Sequence, residues 1–92
     1  MVGRSSHDIE RALLRKGFRA RDTHHRQFML FDKDQPLPVF TYLSHGRKEY
    51  GDRLLANIAR QLHLNKAELL KFIDCRMSGE DYLEVLQGKG VI

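Results

Sequence analysis

The sequence predicts an α+β fold: a three-stranded antiparallel sheet with helices packed on one face, in the order α-β-β-β-α, followed by two short C-terminal helices. Three observations carry this. Apolar residues recur at helical spacing near the start of the chain and again through its second half. Between them, residues 18–43 hold short runs with a period of two, separated by turn-forming residues. Each helical stripe is preceded by a residue able to cap it. At 92 residues the chain is the length of one domain, 1–92, with no internal repeat or linker.

Ser5 or Ser6 caps a first helix over about 6–16, with Asp8 three residues after Ser5. Ile9, Ala12 and Leu13 form its apolar stripe, and Gly17 stops it. Phe18-Arg19-Ala20-Arg21 alternates apolar and basic residues as a short half-buried strand does. Asp22-Thr23 makes a turn, and His24 to Phe31 is the second strand. Phe28 and Leu30 belong to the helix-facing set of that strand. His25, Gln27, Met29 and Phe31 then point to the other face. Residues 32–36 read as a hairpin loop, and Leu37 to Leu43 as a third strand that Pro36 and Pro38 confine to an edge.

Residues 44–48, Ser-His-Gly-Arg-Lys, form a basic loop. A second helix starts at Gly51 or Asp52 and runs to Leu64. Asn65 caps a third helix, with Glu68 completing a capping box. Ser78 caps a fourth, with Asp81 in the same role, and Gly88 stops it. His7 and His63 fall on helix surfaces.

Composition narrows the function classes. Apolar residues make up 41% and charged residues 30%, which excludes wholesale disorder. No apolar run approaches the ~20 residues that span a bilayer, and the first residues lack the apolar core of a signal peptide. A cytoplasmic protein is expected. The single cysteine, Cys75, has no partner for a disulfide and is read as a buried or half-exposed structural thiol. Adjacent His24 and His25 point to opposite faces of a regular strand, and no paired-ligand spacing exists. No metal and no other cofactor is expected. Residues 1–64 carry a net charge of +5 and residues 65–92 a net −1. The basic excess therefore lies with the histidine-containing strands, and it points to a polyanionic partner.

A histidine at a strand entry, flanked by arginines, suits proton transfer on an anionic substrate. Histidine titrates nearest neutral pH, so it can accept or donate a proton there. His25 is the candidate, and His24 the runner-up, since a one-residue slip would exchange them. Arg21, Arg26, Arg47 or Lys48 would offset charge in a phosphoryl transition state. His45 lies near the same edge or caps backbone carbonyls in its loop.

The element order, Gly17-Phe18, the Thr23-His24-His25-Arg26-Gln27-Phe28 strand entry and Ser44-His45-Gly46 before a leucine-rich helix resemble the HicA (YcfA-like) mRNA interferase toxins. The resemblance covers a core of roughly residues 5–64, with 65–92 as a helical extension. It implies a double-stranded-RNA-binding-domain-like fold and endoribonuclease activity on mRNA. It also implies a HicB-like antitoxin that covers the catalytic histidine. The family's Gly-Ser-x-His motif falls on Asp22-Thr23-His24-His25, which places the catalytic histidine at His25. Asp22 replaces the glycine and puts a negative charge where a phosphate would approach. Thr23 replaces the serine and keeps a hydroxyl. The RNA-binding candidates are Thr23, Arg15, Lys16, Arg19, Arg21, Arg26, His45, Arg47 and Lys48, since such domains read backbone and shape.

Two other readings stay open. One is a non-catalytic RNA- or protein-binding module of the same fold. The other is an assembly protein, a homo-oligomer formed through Leu69, Leu70, Phe72 and Tyr82 of the C-terminal helices. Those helices instead extending the core is the simpler account of the same residues.

Overall fold

A computed structural model describes residues 3–22, 25–44 and 48–92. Its elements run β1 (Arg4–Ser5), α1 (Ser6–Arg15), β2 (Phe18–Asp22), β3 (Arg26–Asp32), β4 (Gln35–Leu43), β5 (Glu49–Tyr50), α2 (Asp52–Gln61), α3 (Lys66–Ile73) and α4 (Gly79–Gly88). The fold is α+β, with a three-stranded antiparallel sheet of order β2-β3-β4, as the sequence predicts. β1 and β5 form a separate two-stranded ladder, Arg4 opposite Tyr50 and Ser5 opposite Glu49. Two-residue strands are too short to show a period, so the sequence did not announce them.

Local chemistry explains the element boundaries. The Ser5 hydroxyl accepts from the Asp8 backbone N–H at 3.1 Å and caps α1. Gly17 ends that helix at φ 97°, in the left-handed region that suits glycine. Its carbonyl accepts from the Phe31 N–H at 3.0 Å, which ties the helix end directly to β3. The hairpin after β3 is tighter than residues 32–36. It turns on Lys33 and Asp34 alone, at φ 51° and 64°. Two successive left-handed residues match the twist of the flanking strands. β4 therefore begins at Gln35 and contains both prolines, which an edge strand tolerates. Leu37 to Val39 stand opposite Leu30 alone, so β4 bulges there.

α3 and α4 each carry the predicted capping box, Asn65 with Glu68 and Ser78 with Asp81. Gly88 does not stop α4. The helix runs through it, and Gly90 at φ 75° makes the exit, with the Val91 N–H donating to the Leu86 carbonyl at 2.9 Å. α2 ends at Gln61, short of Leu64. His63 thus lies in the turn beyond the helix, at φ 63°.

The buried strand residues Phe18, Phe28, Leu30, Val39, Thr41 and Leu43 lie on one face by register. The helices cover that face. Ile9 and Leu13 of α1 and Leu55 and Ile58 of α2 join one core with Leu69, Phe72, Tyr82 and Leu86 of the last two helices. Phe72 and Tyr82 meet edge to face at 5.0 Å, and Phe18 lies about 6 Å from both rings. The Tyr82 hydroxyl donates to the Leu62 carbonyl at 2.8 Å, so its one polar atom is satisfied inside the core. Leu69, Phe72 and Tyr82 are consumed by the chain's own core, and only Leu70 of the four oligomerisation candidates keeps part of its surface.

Candidate functional site

The opposite face of the sheet is where the strands place their remaining side chains. Cross-strand register fixes its membership. Arg19 pairs with Met29 and Met29 with Phe40; Arg21 pairs with Gln27 and Gln27 with Tyr42. Directly opposed residues share a face. The face thus runs from two arginines on β2, across Gln27 and Met29 on β3, to two aromatic rings on β4. Phe40 and Tyr42 are each 40% exposed and meet edge to face at 5.7 Å.

His25 joins this face. It precedes β3 and is exposed, and its ring stands 6.4 Å from the Tyr42 ring, edge-on. That is the side the strand alternation predicts for it. The Gln27 amide lies 3.5 Å from the Tyr42 hydroxyl, so the histidine end of the face is lined by polar and aromatic groups together. At the other end, the Arg19 guanidinium lies over the Phe31 ring, 4.2 Å from its centroid, and pairs with Asp34 in the hairpin. A guanidinium over a ring sets a cation beside an apolar surface.

The arginines and lysines proposed for RNA contact divide between the two sides. Arg19 and Arg21 are exposed on the open face. Arg21 has no carboxylate partner among the described residues. Arg26 belongs to the helix-covered side. It pairs with Glu10 of α1 and, at 3.2 Å, with Asp22, and it lies 5.2 Å from the Phe28 ring centroid. Its charge is already balanced, and its role is to tie β3 to α1. Lys16 lies on the helical side of the molecule, away from the open face. Its side chain is only 7% exposed, and its Nζ lies 4.9 Å from the Phe72 ring centroid. Burial lowers its pKa from the ordinary lysine value. Its stem is spent on packing against Phe72.

Arg15 is exposed on α1, where its Nη1 reaches Cys75 Sγ at 3.6 Å, on the helical side. Cys75 itself is exposed, and not the buried or half-exposed thiol the sequence suggested. It sits at φ 63°, just past the end of α3. Lys48 is exposed ahead of β5, and its carbonyl accepts from the Ser6 N–H at 2.8 Å. Thr23, His24, His45 and Arg47 lie outside the described residues. Ser44, which follows β4, donates its N–H to the Tyr50 hydroxyl at 2.8 Å. Leu43 pairs with Arg26, so Ser44 sits at the same end of the sheet as His25.

Asp22 faces away from His25. It shares the register face of Arg26 and Leu43, and its carboxylate is paired by Arg26. The aromatic pair Phe40 and Tyr42 is the part of the site that sequence reasoning missed. Its signal was present: even-numbered residues from 36 to 42 read Pro, Pro, Phe, Tyr, with the core-facing residues between them. Among the described residues no three His, Cys, Asp or Glu side chains converge as a metal site would require, and no helix is long and apolar enough to cross a membrane.

Comparison with protein-family models, with curated proteins and with solved structures finds no match for this chain.

Proposed function

We propose that this chain is an endoribonuclease of the HicA-like toxin kind, binding RNA on the open sheet face and using His25 for proton transfer. One observation carries the reading: the register brings His25, Tyr42, Arg21 and Arg19 onto the same uncovered face. The order α1-β2-β3-β4-α2, interrupted only by the two-residue β5 before α2, supports it, because α-β-β-β-α is the order of a double-stranded-RNA-binding-domain-like core. The pairing of Asp22 by Arg26 also supports it, because the charge that replaces the motif glycine is offset in place.

In this mechanism His25 takes the proton of a ribose 2′-hydroxyl. The 2′-oxygen attacks the adjacent phosphorus, and the 5′-oxygen of the next nucleotide leaves with a proton from solvent. Arg21 offsets the charge that accumulates on the phosphoryl oxygens. The reading places the protein in the cytoplasm with its mRNA substrate and gives it a HicB-like antitoxin that covers His25.

The test is induced expression of wild type beside His25→Ala and His24→Ala, with growth and mRNA integrity followed together. Wild type and His24→Ala arrest growth and degrade mRNA; His25→Ala does neither. With purified protein, loss of His25 lowers the cleavage rate about 10²–10⁴-fold, the usual contribution of a positioned acid–base group. A 2′-O-methyl group at the scissile nucleotide abolishes cleavage. Harmless, well-expressed wild type with intact mRNA refutes the enzyme reading.

A second reading is favoured by the aromatic and basic face itself, which needs no histidine to bind RNA. It is a binding module that cleaves nothing. It predicts steeply salt-dependent affinity with intact RNA at the end of the assay.

A further inference from the structure

We propose that the open face takes single-stranded RNA by base stacking: about two or three bases lie on Phe40, Tyr42 and the Arg19–Phe31 pair, with Arg21 at the backbone. This rests on the RNA reading above and names the form of RNA that the face selects.

The argument starts from what the solvent side of the sheet should be. An antiparallel sheet with one covered face normally turns polar residues outward. Here the outward residues of β4, and of β3 beyond Gln27, are Met29, Phe31, Pro36, Pro38, Phe40 and Tyr42. None is charged, and Phe40 and Tyr42 are each 40% exposed. Contiguous apolar surface of this kind marks a contact site. The charged outward residues are confined to β2, where Arg19 and Arg21 stand. Adjacent strands lie about 4.8 Å apart, so the arginine row runs about 10 Å from the aromatic row. A nucleotide laid across the strands puts its base over the rings and its phosphate towards the arginines.

Charge selects the occupant. Among the described residues the outward positions of β2, β3 and β4 hold no carboxylate, and the one acidic residue at the rim, Asp34, is paired with Arg19. A polyanion with planar apolar groups complements this face. Stacking selects the strand state. Rings on a sheet reach bases only where those are splayed out of a helix, because a duplex offers its phosphates and 2′-hydroxyls instead. Arg26, paired with Glu10 and Asp22, is one cation fewer for a duplex-backbone reader.

The test measures fluorescence anisotropy of a labelled 2′-O-methyl RNA 12-mer, which resists cleavage, alone and annealed to its complement. Binding and cutting are thereby read separately. The single strand binds and the duplex binds more weakly. Phe40→Ala and Tyr42→Ala each weaken single-strand binding roughly tenfold or more, the worth of one stacked base. Tyr42→Phe, which keeps the ring, binds as wild type does. These positions are exposed, and matching circular dichroism spectra and melting temperatures show that the variants fold. Equal binding of duplex and single strand, insensitive to both alanine variants, overturns the inference while wild-type RNA cleavage still stands. Absence of binding to either form, with RNA uncut, overturns both readings. Self-association that Phe40→Ala abolishes, with no RNA binding, assigns the face to a second copy of the chain and also overturns the inference.

Discussion

Among the described residues, four non-glycine residues and two glycines have left-handed backbone conformations, and the side chains at these positions decide what substitution does. Gly17 is doubly constrained. It sits at φ 97°, and a Cβ there would approach the Phe31 carbonyl oxygen to 3.1 Å. Gly17→Ala therefore destabilises the protein by about 1–3 kcal/mol, measured by urea unfolding. Cys75 is the converse case: a left-handed residue with a side chain and an exposed thiol. Cys75→Gly relieves the strain and stabilises by up to about 1 kcal/mol, less the lost Arg15 contact. Gly17 is recognisable in the sequence as a helix stop. Cys75 is not, because a tertiary arrangement of α3 against its neighbours imposes its conformation.

Lys16 belongs to the same scale and carries a pH dependence. Burial lowers its pKa, so the folded state releases a proton that the unfolded chain still holds. Below that lowered value the folded state bears the cost of burying the charge. As pH rises from the lowered value towards the ordinary lysine range, the unfolded chain holds more protons and stability increases. Lys16→Met keeps the stem against Phe72 without the charge. It is expected to match or exceed wild type in stability at pH 7, with the difference shrinking as pH approaches that range in parallel chemical melts. Its RNA affinity is expected to equal that of wild type, whereas Arg21→Ala lowers affinity and reduces the salt slope by about 0.7.

At the scale of elements, what the sequence made legible is what local chemistry determines. The three strands, the four helices and both capping boxes follow from side-chain period and from Asn65, Glu68, Ser78 and Asp81. Asn65 makes this testable. Its side chain accepts from the Glu68 N–H at 2.8 Å, while Glu68 accepts from the Asn65 N–H at 2.9 Å and from Lys89 at 2.7 Å. Asn65→Ala breaks the box and costs about 1 kcal/mol in thermal or urea unfolding. Where elements were missed or misplaced, the cause was contact at a distance. β1 and β5 exist because Arg4 and Tyr50 meet across most of the first half of the chain, and Arg4 is held besides by Asp74 at 2.8 Å. The candidate site divides in the same way. The side on which His25 stands was legible, because alternation along one strand determines it. Lys16 and Arg26 were not, since a basic residue in a sequence gives no sign of the aromatic ring or carboxylate that will engage it. Phe40 and Tyr42 were read as strand formers, and only the pairing with β3 shows that they share a face with His25.

The whole molecule sets the limit on dividing the chain. Sequence resemblance separates a core at 5–64 from an extension at 65–92, but packing does not respect that boundary. Leu69, Phe72, Tyr82 and Leu86 are fully buried against Phe18, Leu13 and Leu62 in a single hydrophobic cluster. Burying four such side chains is worth on the order of 10 kcal/mol as an upper estimate, comparable with the whole stability of a small domain. Residues 65–92 also supply the partner for the Arg4 guanidinium and the ring beneath Lys16. A fragment ending at Leu64 is therefore expected not to fold. Its far-UV circular dichroism will show no cooperative thermal transition, while the full chain melts in one step. A cooperative melt of the fragment would establish the core as an independent unit and refute this account. The same packing decides how oligomerisation through the C-terminal helices must be tested. Truncation at Leu64 removes Leu69, Phe72, Ile73, Met77, Tyr82 and Leu86 from the core and confounds assembly with unfolding. Leu70→Glu instead alters a half-buried side chain on α3. If those helices join two copies, sedimentation of Leu70→Glu will report a monomer with an intact fold, whereas an unchanged mass leaves the helices with no role beyond the core of one chain.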